Sequence, residues 1–154
     1  MSVAFRRESD EEHLEPRFEL PIPPGPNLVT RRGLALIAVR IADLDAALAD
    51  AGDEARPTLL RERRYWHTRH ATAEVAAPPE PGVAGIGTRV TFRLAGGTRT
   101  VGIVGGDEAD PAASLVGYQA PLARALAGLE AGETADFNGQ ADAITVVAVA
   151  SMED

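Results

Sequence analysis

Five aliphatic residues, Leu34, Ile37, Ile41, Leu44 and Leu48, recur at spacings of 3, 4, 3 and 4, and nothing else in the chain restricts its fold as tightly. This rhythm lays one apolar side chain per turn along a narrow stripe of an α-helix, which is buried only against another helix. Thr30 stands where an N-cap belongs, and Gly52 is the expected stop. The stretch "GDEARPT" is the turn, and Pro57 suits the first turn of a second helix running to about Val75. In that second helix Leu59, Trp66 and Ala73 are seven apart. So short a connection forces the two helices to be antiparallel neighbours, and the spacing predicts a coiled-coil hairpin over residues 29–76. Each arm is roughly 20 residues, or about 30 Å long.

The period then changes. "APPEPG", residues 77–82, is a linker in which a helix cannot continue. Beyond it Val90, Phe92 and Leu94 alternate with Thr91 and Arg93, "AGG" turns the chain, and Val101 and Ile103 alternate again, which predicts a β-hairpin. Further strands are expected at 115–119, 133–137 and 143–150, with a short helix from Pro121 to Leu126 ended by Gly128. The fold class is therefore α+β: a helical hairpin followed, over residues 83–154, by a small sheet domain with one short helix. Residues 1–28 are acidic and Pro-rich, a composition that predicts an extended or disordered arm. Phe5, Phe18, Leu20 and Ile22 are the residues by which that arm is expected to lie along a neighbouring surface.

Composition narrows the function classes. Hydrophobic residues make up 45% of the 154, enough for a core, but aromatics only 5%, which disfavours a deep aromatic-lined pocket and a small-molecule substrate. With no Cys, thiolate nucleophiles, disulfides and Cys-ligated zinc are excluded. No apolar run approaches the roughly 20 residues that span a bilayer, and "MSVAFRRESDEEH" lacks the apolar centre of a signal peptide, so a cytoplasmic protein without a membrane partner is expected. Net charge is −8, and all 15 basic residues are Arg. Residues 29–75 carry 8 Arg against 7 acids while both flanks are acidic, which confines any weak or indirect nucleic-acid contact to the Arg cluster around residues 56–69.

Several side chains invite a chemical reading. Arg61, Arg63, Arg64 and Arg69 either face an acidic partner or pair with Asp43, Asp45 and Asp50 on the facing arm. His67 and His70 share a helix face but have no evident third metal ligand. Asp107, Glu108 and Asp110 are the densest acidic cluster; for Asp110, just before Pro111, turn chemistry stands beside partner contact. Tyr65 and Trp66 are read as packing residues, with the Trp in the hairpin seam or at its joint with the sheet domain. No Ser or Thr has the His and acid companions of a nucleophilic triad.

Three motifs, "GTRVTF" (87–92), "IVGGDEADP" (103–111) and "APLARALAGLEAGE" (120–133), resemble in order and spacing the C-terminal domain of the Gre transcript-cleavage and elongation factors of bacterial RNA polymerase. "VTRRGLALI" (29–37) and the step from hairpin into Pro-rich linker resemble that family's helical hairpin, so the likeness spans about 120 of 154 residues. The resemblance implies an FKBP-like C-terminal domain that grips the rim of the polymerase secondary channel, with the hairpin directed into it. It places the polymerase contact at a polar residue, a Ser and a Pro just before the short helix, here Gln119, Ala120 and Pro121, with Tyr118, Arg124 and Asp110 around them. The lost Ser hydroxyl removes one hydrogen bond, worth on the order of 1 kcal/mol.

The hairpin tip departs from the family. Gre factors carry Gly-Asp followed by Glu-Asn-Ala-Glu-Tyr, whose Asp and first Glu help hold a second Mg²⁺ and the attacking water; this chain has "AGDEARPTLL". Asp53 matches the Asp and Glu54 is adjacent to it; with Asp50 they are either the remnant of a Mg²⁺-directed tip or ordinary charged residues of an exposed turn. Both arms are also shorter than the family's by roughly two to three turns, about 11–16 Å. The expectation is therefore a non-enzymatic transcription regulator that binds core polymerase, with no cofactor. The alternative is an active cleavage factor using Asp53 and Glu54 with Mg²⁺ at the tip. An FKBP-like fold also raises prolyl isomerase activity, for which only Phe92, Tyr118 and Phe137 are at hand. Short-hairpin relatives of the Gre factors have also been called regulators of nucleoside diphosphate kinase.

Overall fold

The structure is a computed structural model that describes residues 19–152. Two helices, α1 (Arg31–Asp50) and α2 (Arg56–Thr72), form the hairpin. Thr30 caps α1, its hydroxyl accepting the Gly33 N–H at 2.9 Å. Ile37 and Leu44 are buried in the seam, while Leu34, Ile41 and Leu48 are half-buried, as a two-helix packing permits. Among the described residues no helix is long and apolar enough to cross a membrane.

The second helix ends earlier than its sequence pattern predicts. Helix α2 stops at Thr72, and Ala73–Val75 is instead a strand, β2, paired in parallel with β1 (Asn27–Val29). The backbone groups of these residues are satisfied by a partner 46 positions away, from Asn27 to Ala73, which local periodicity does not register. Strand β1 also begins within the expected arm; Phe5 and Phe18 lie outside the described residues.

The sheet domain contains β3 (Thr88–Leu94), β4 (Gly97–Val104), β5 (Leu115–Gly117), α3 (Pro121–Leu126), β6 (Thr134–Phe137) and β7 (Gln140–Ser151). Five strands join in the order β5-β4-β3-β7-β6; β4 and β5 are parallel and the other pairs antiparallel. The β3–β4 turn is Ala95-Gly96, both with positive φ, the conformation that matches the twist of a two-residue hairpin. Alternate residues of the sheet, Val90, Phe92, Val101, Ile103, Ile144 and Val146, pack with Ala123 and Leu126 of α3 into the core. The α+β, FKBP-like architecture expected from the sequence is present.

Candidate functional site

The segment between β4 and β5 is where the hairpin meets the sheet domain. It starts with Gly105, at which a Cβ would fall 2.6 Å from the Leu28 carbonyl oxygen, so only glycine lets β1 lie against this corner. Two turns then present Asp107 and Glu108 to the base of the hairpin. Asp107 Oδ2 accepts the Arg69 Nε–H at 2.6 Å, and its Oδ1 accepts the Tyr65 hydroxyl at 2.6 Å. Asn27 completes this cluster, accepting from Arg69 Nη2 at 2.8 Å and donating to the Arg69 carbonyl at 2.8 Å. Burial, and then the Asp107 carboxylate, push the Tyr65 phenol up to about 12. Because the folded value is raised, its contribution to stability is complete below the ordinary tyrosine range and is lost as pH climbs through about 12.

Glu108 serves the other helix. Its Oε1 accepts the Thr30 hydroxyl at 2.5 Å and its Oε2 pairs with Arg32 at 2.7 Å. Thr30 thus caps α1 and ties it to the sheet domain with one hydroxyl. Gly33 makes room for this contact: a Cβ there would sit 2.7 Å from Glu108 Oε1. The acidic loop is therefore a joint that fixes the hairpin's direction. Sequence reasoning found the acids but not their partners; Asn27, Thr30, Arg32 and Tyr65 were not assigned to them. The glycines that flank the joint, Gly33 and Gly105, were the available signal.

The remaining sequence candidates separate. Asp110 accepts the Ala112 N–H at 3.1 Å and caps a single 3-10 turn, Pro111–Ala113. Of the Arg cluster, Arg63 pairs with Asp45 across the hairpin, Arg64 with Glu19 and Arg69 with Asp107, so pairing across the hairpin accounts for only one of these three. Trp66 is half-buried, edge-on to Tyr65 at 5.0 Å and covered by the Arg40 guanidinium at 5.2 Å. His67 and His70 are exposed. Asp50, Asp53 and Glu54 are exposed at the far end of the hairpin.

At the strand-to-helix corner, Ala120 is the N-cap of α3 and makes no side-chain cap bond, while Pro121 and Arg124 are exposed. Tyr118 Oη donates to the Pro26 carbonyl at 2.6 Å, and Gln119 Nε2 reaches the Pro24 carbonyl at 3.5 Å. An isomerase pocket does not form from the aromatics: Phe92 is wholly buried in the core, Phe137 packs against it, and Tyr118 is bonded to residue 26. The apolar cavity of about 220 Å³ between the Pro-rich linker and the sheet, lined by Val75, Pro78, Pro79, Ile86 and Val149 among others, has no aromatic wall.

Comparison with known proteins bears on the sheet domain. No curated protein matches the chain. Among solved structures, GreA factor homolog 1 (Gfh1) of Thermus thermophilus aligns with 81% of this chain and 99% of its own at 17% identity and a TM-score of 0.37. Thermus aquaticus Gfh1 aligns at 18% identity and a TM-score of 0.40, and the GreA/GreB elongation factor of Nitrosomonas europaea at 20% and 0.40, each over 82% of this chain and 99% of its own. Residues 78–152 match the family described as "Transcription elongation factor, GreA/GreB, C-term". Residues 78–152 are thus similar to the C-terminal domain of the GreA/GreB transcription elongation factors, the family that the three motifs of this domain resemble.

Proposed function

We propose that the protein is a transcription regulator that docks on RNA polymerase at the rim of the secondary channel and presents its short hairpin to the channel without stimulating transcript cleavage. The observation that carries this reading is the GreA/GreB-type domain, whose strand-to-helix corner leaves Pro121 and Arg124 exposed. In this reading Gln119, Ala120 and Pro121 make the central contact, with Arg124 beside it. The joint built on Asp107 and Glu108 holds the hairpin at a set angle, so that docking of the domain also aims the helices. Binding needs no cofactor.

The test is co-purification with core polymerase. Replacing Pro121 with Asp is expected to abolish it while leaving the far-UV circular dichroism near native, because Asp is tolerated in the first turn of a helix. Undiminished binding by the folded variant would place the interface elsewhere. The rival reading, an active cleavage factor, rests on the exposure of Asp53 and Glu54 at the tip.

A further inference from the structure

The chain that precedes β1 crosses the same corner. Residues 21–26 are all exposed and have no regular secondary structure, yet they are held at three places of unequal strength. At their C-terminal end Asn27 is buried, donates to the Arg69 carbonyl and to Thr72 Oγ1, and starts the strand paired with β2. In the middle, Tyr118 Oη donates to Pro26 at 2.6 Å and accepts from the Leu28 N–H at 3.4 Å, while Gln119 Nε2 lies 3.5 Å from the Pro24 carbonyl. Gly25, with φ +90, brings the backbone so near that a Cβ would be 3.2 Å from Gln119 Nε2. At the far end Glu19 accepts two hydrogen bonds from Arg64, at 2.9 and 2.8 Å, and both side chains are more than half exposed.

One end is therefore fixed by buried bonds, and the other by a single solvated ion pair of the kind that contributes little and is screened by salt. We infer that residues 19–26 are a strap, hinged at Asn27 and clasped by Glu19–Arg64, whose Pro24 carbonyl engages the amide of the exposed Gln119 and which lifts when that amide and the corner engage a partner. This inference rests on the proposed docking through residues 119–121. A strap that is closed most of the time lowers the apparent affinity by the fraction of molecules in which the corner is open.

The experiment measures the affinity of core polymerase for the full chain, for Glu19→Arg, for Arg64→Glu and for the double swap. Either single change opens the clasp and is expected to tighten binding about fivefold. The double change restores an ion pair in reverse and should return the affinity to that of the original chain. The single changes shift net charge in opposite directions, so a simple electrostatic effect would move the two affinities apart. Opposite shifts, or no shift in any variant, would overturn the strap. Pro121→Asp, measured alongside, separates the two claims: if it binds undiminished the docking reading fails, and if it loses binding while the clasp variants behave as the original, only the strap fails.

Discussion

Asp107 is the residue on which the joint turns, because both of its oxygens are committed to donors from α2. Arg69 beside it has a side chain only 6% exposed, so its charge is compensated by Asp107 and by the carbonyl oxygen of the Asn27 side chain. Removing the carboxylate leaves a buried guanidinium without a counter-charge, a change that costs about 3–5 kcal/mol. Asp107→Ala is accordingly expected to lower the free energy of unfolding, measured by urea titration, by an amount in that range. Asp107→Asn, which keeps an acceptor, should lose less; equal stability of all three proteins would mean that the pair contributes nothing. The acids of "GGDEADP" were legible as a cluster, and Asp110 as turn chemistry. Their partners were not, because Arg69 is 38 positions from Asp107 and Thr30 is 78 from Glu108. A cluster read along the chain has no direction, and the same Arg69 fitted equally well opposite the acids of α1.

The helices and strands were more legible than the contacts between them. Local rhythm dictates local structure, so the spacing of Leu34 to Leu48, Thr30 as cap and the alternation of Val90 with Phe92 led to the right elements. Where a segment's backbone is claimed by a distant one, as Ala73–Val75 is by Asn27–Val29, the rhythm ran past the true boundary. Helix α3 shows what a single cap position is worth. Its N-cap is Ala120, with φ −69 and ψ 150, a backbone already set for a capping side chain that alanine does not have. Ala120→Ser supplies a hydroxyl to the free N–H groups of the first turn and is expected to stabilise the fold by about 1 kcal/mol, read as a raised urea midpoint. The same variant recreates the Ser-Pro pair that the Gre resemblance places at the polymerase contact. Binding to core polymerase should therefore tighten together with stability, and a gain in one without the other would show that the cap and the contact are separate.

At the scale of the whole molecule, the joint and the hairpin length together decide what the tip can reach. Helix α1 has 20 residues and α2 has 17, so the hairpin extends about 30 Å at 1.5 Å per residue. Its base is fixed by Glu108 on one helix and Asp107 on the other, and swinging toward a more distant target would break buried hydrogen bonds. Metal-assisted hydrolysis requires carboxylates at the Mg²⁺ in fixed geometry, whereas Asp53 and Glu54 are neighbours on one exposed turn, from which adjacent side chains diverge. Stalled elongation complexes mixed with saturating protein are therefore expected to cleave their transcripts at the intrinsic rate or more slowly, and Asp53→Ala and Glu54→Ala should not change that result. A channel occupied by the hairpin should also slow nucleotide addition and block stimulation by an active Gre factor. Gly33→Ala, which drives a Cβ against Glu108 and loosens the joint, should weaken this block more than it weakens docking. Cleavage well above the intrinsic rate that falls in either tip variant would instead show that the carboxylates reach the catalytic Mg²⁺, and the protein would then be an active cleavage factor.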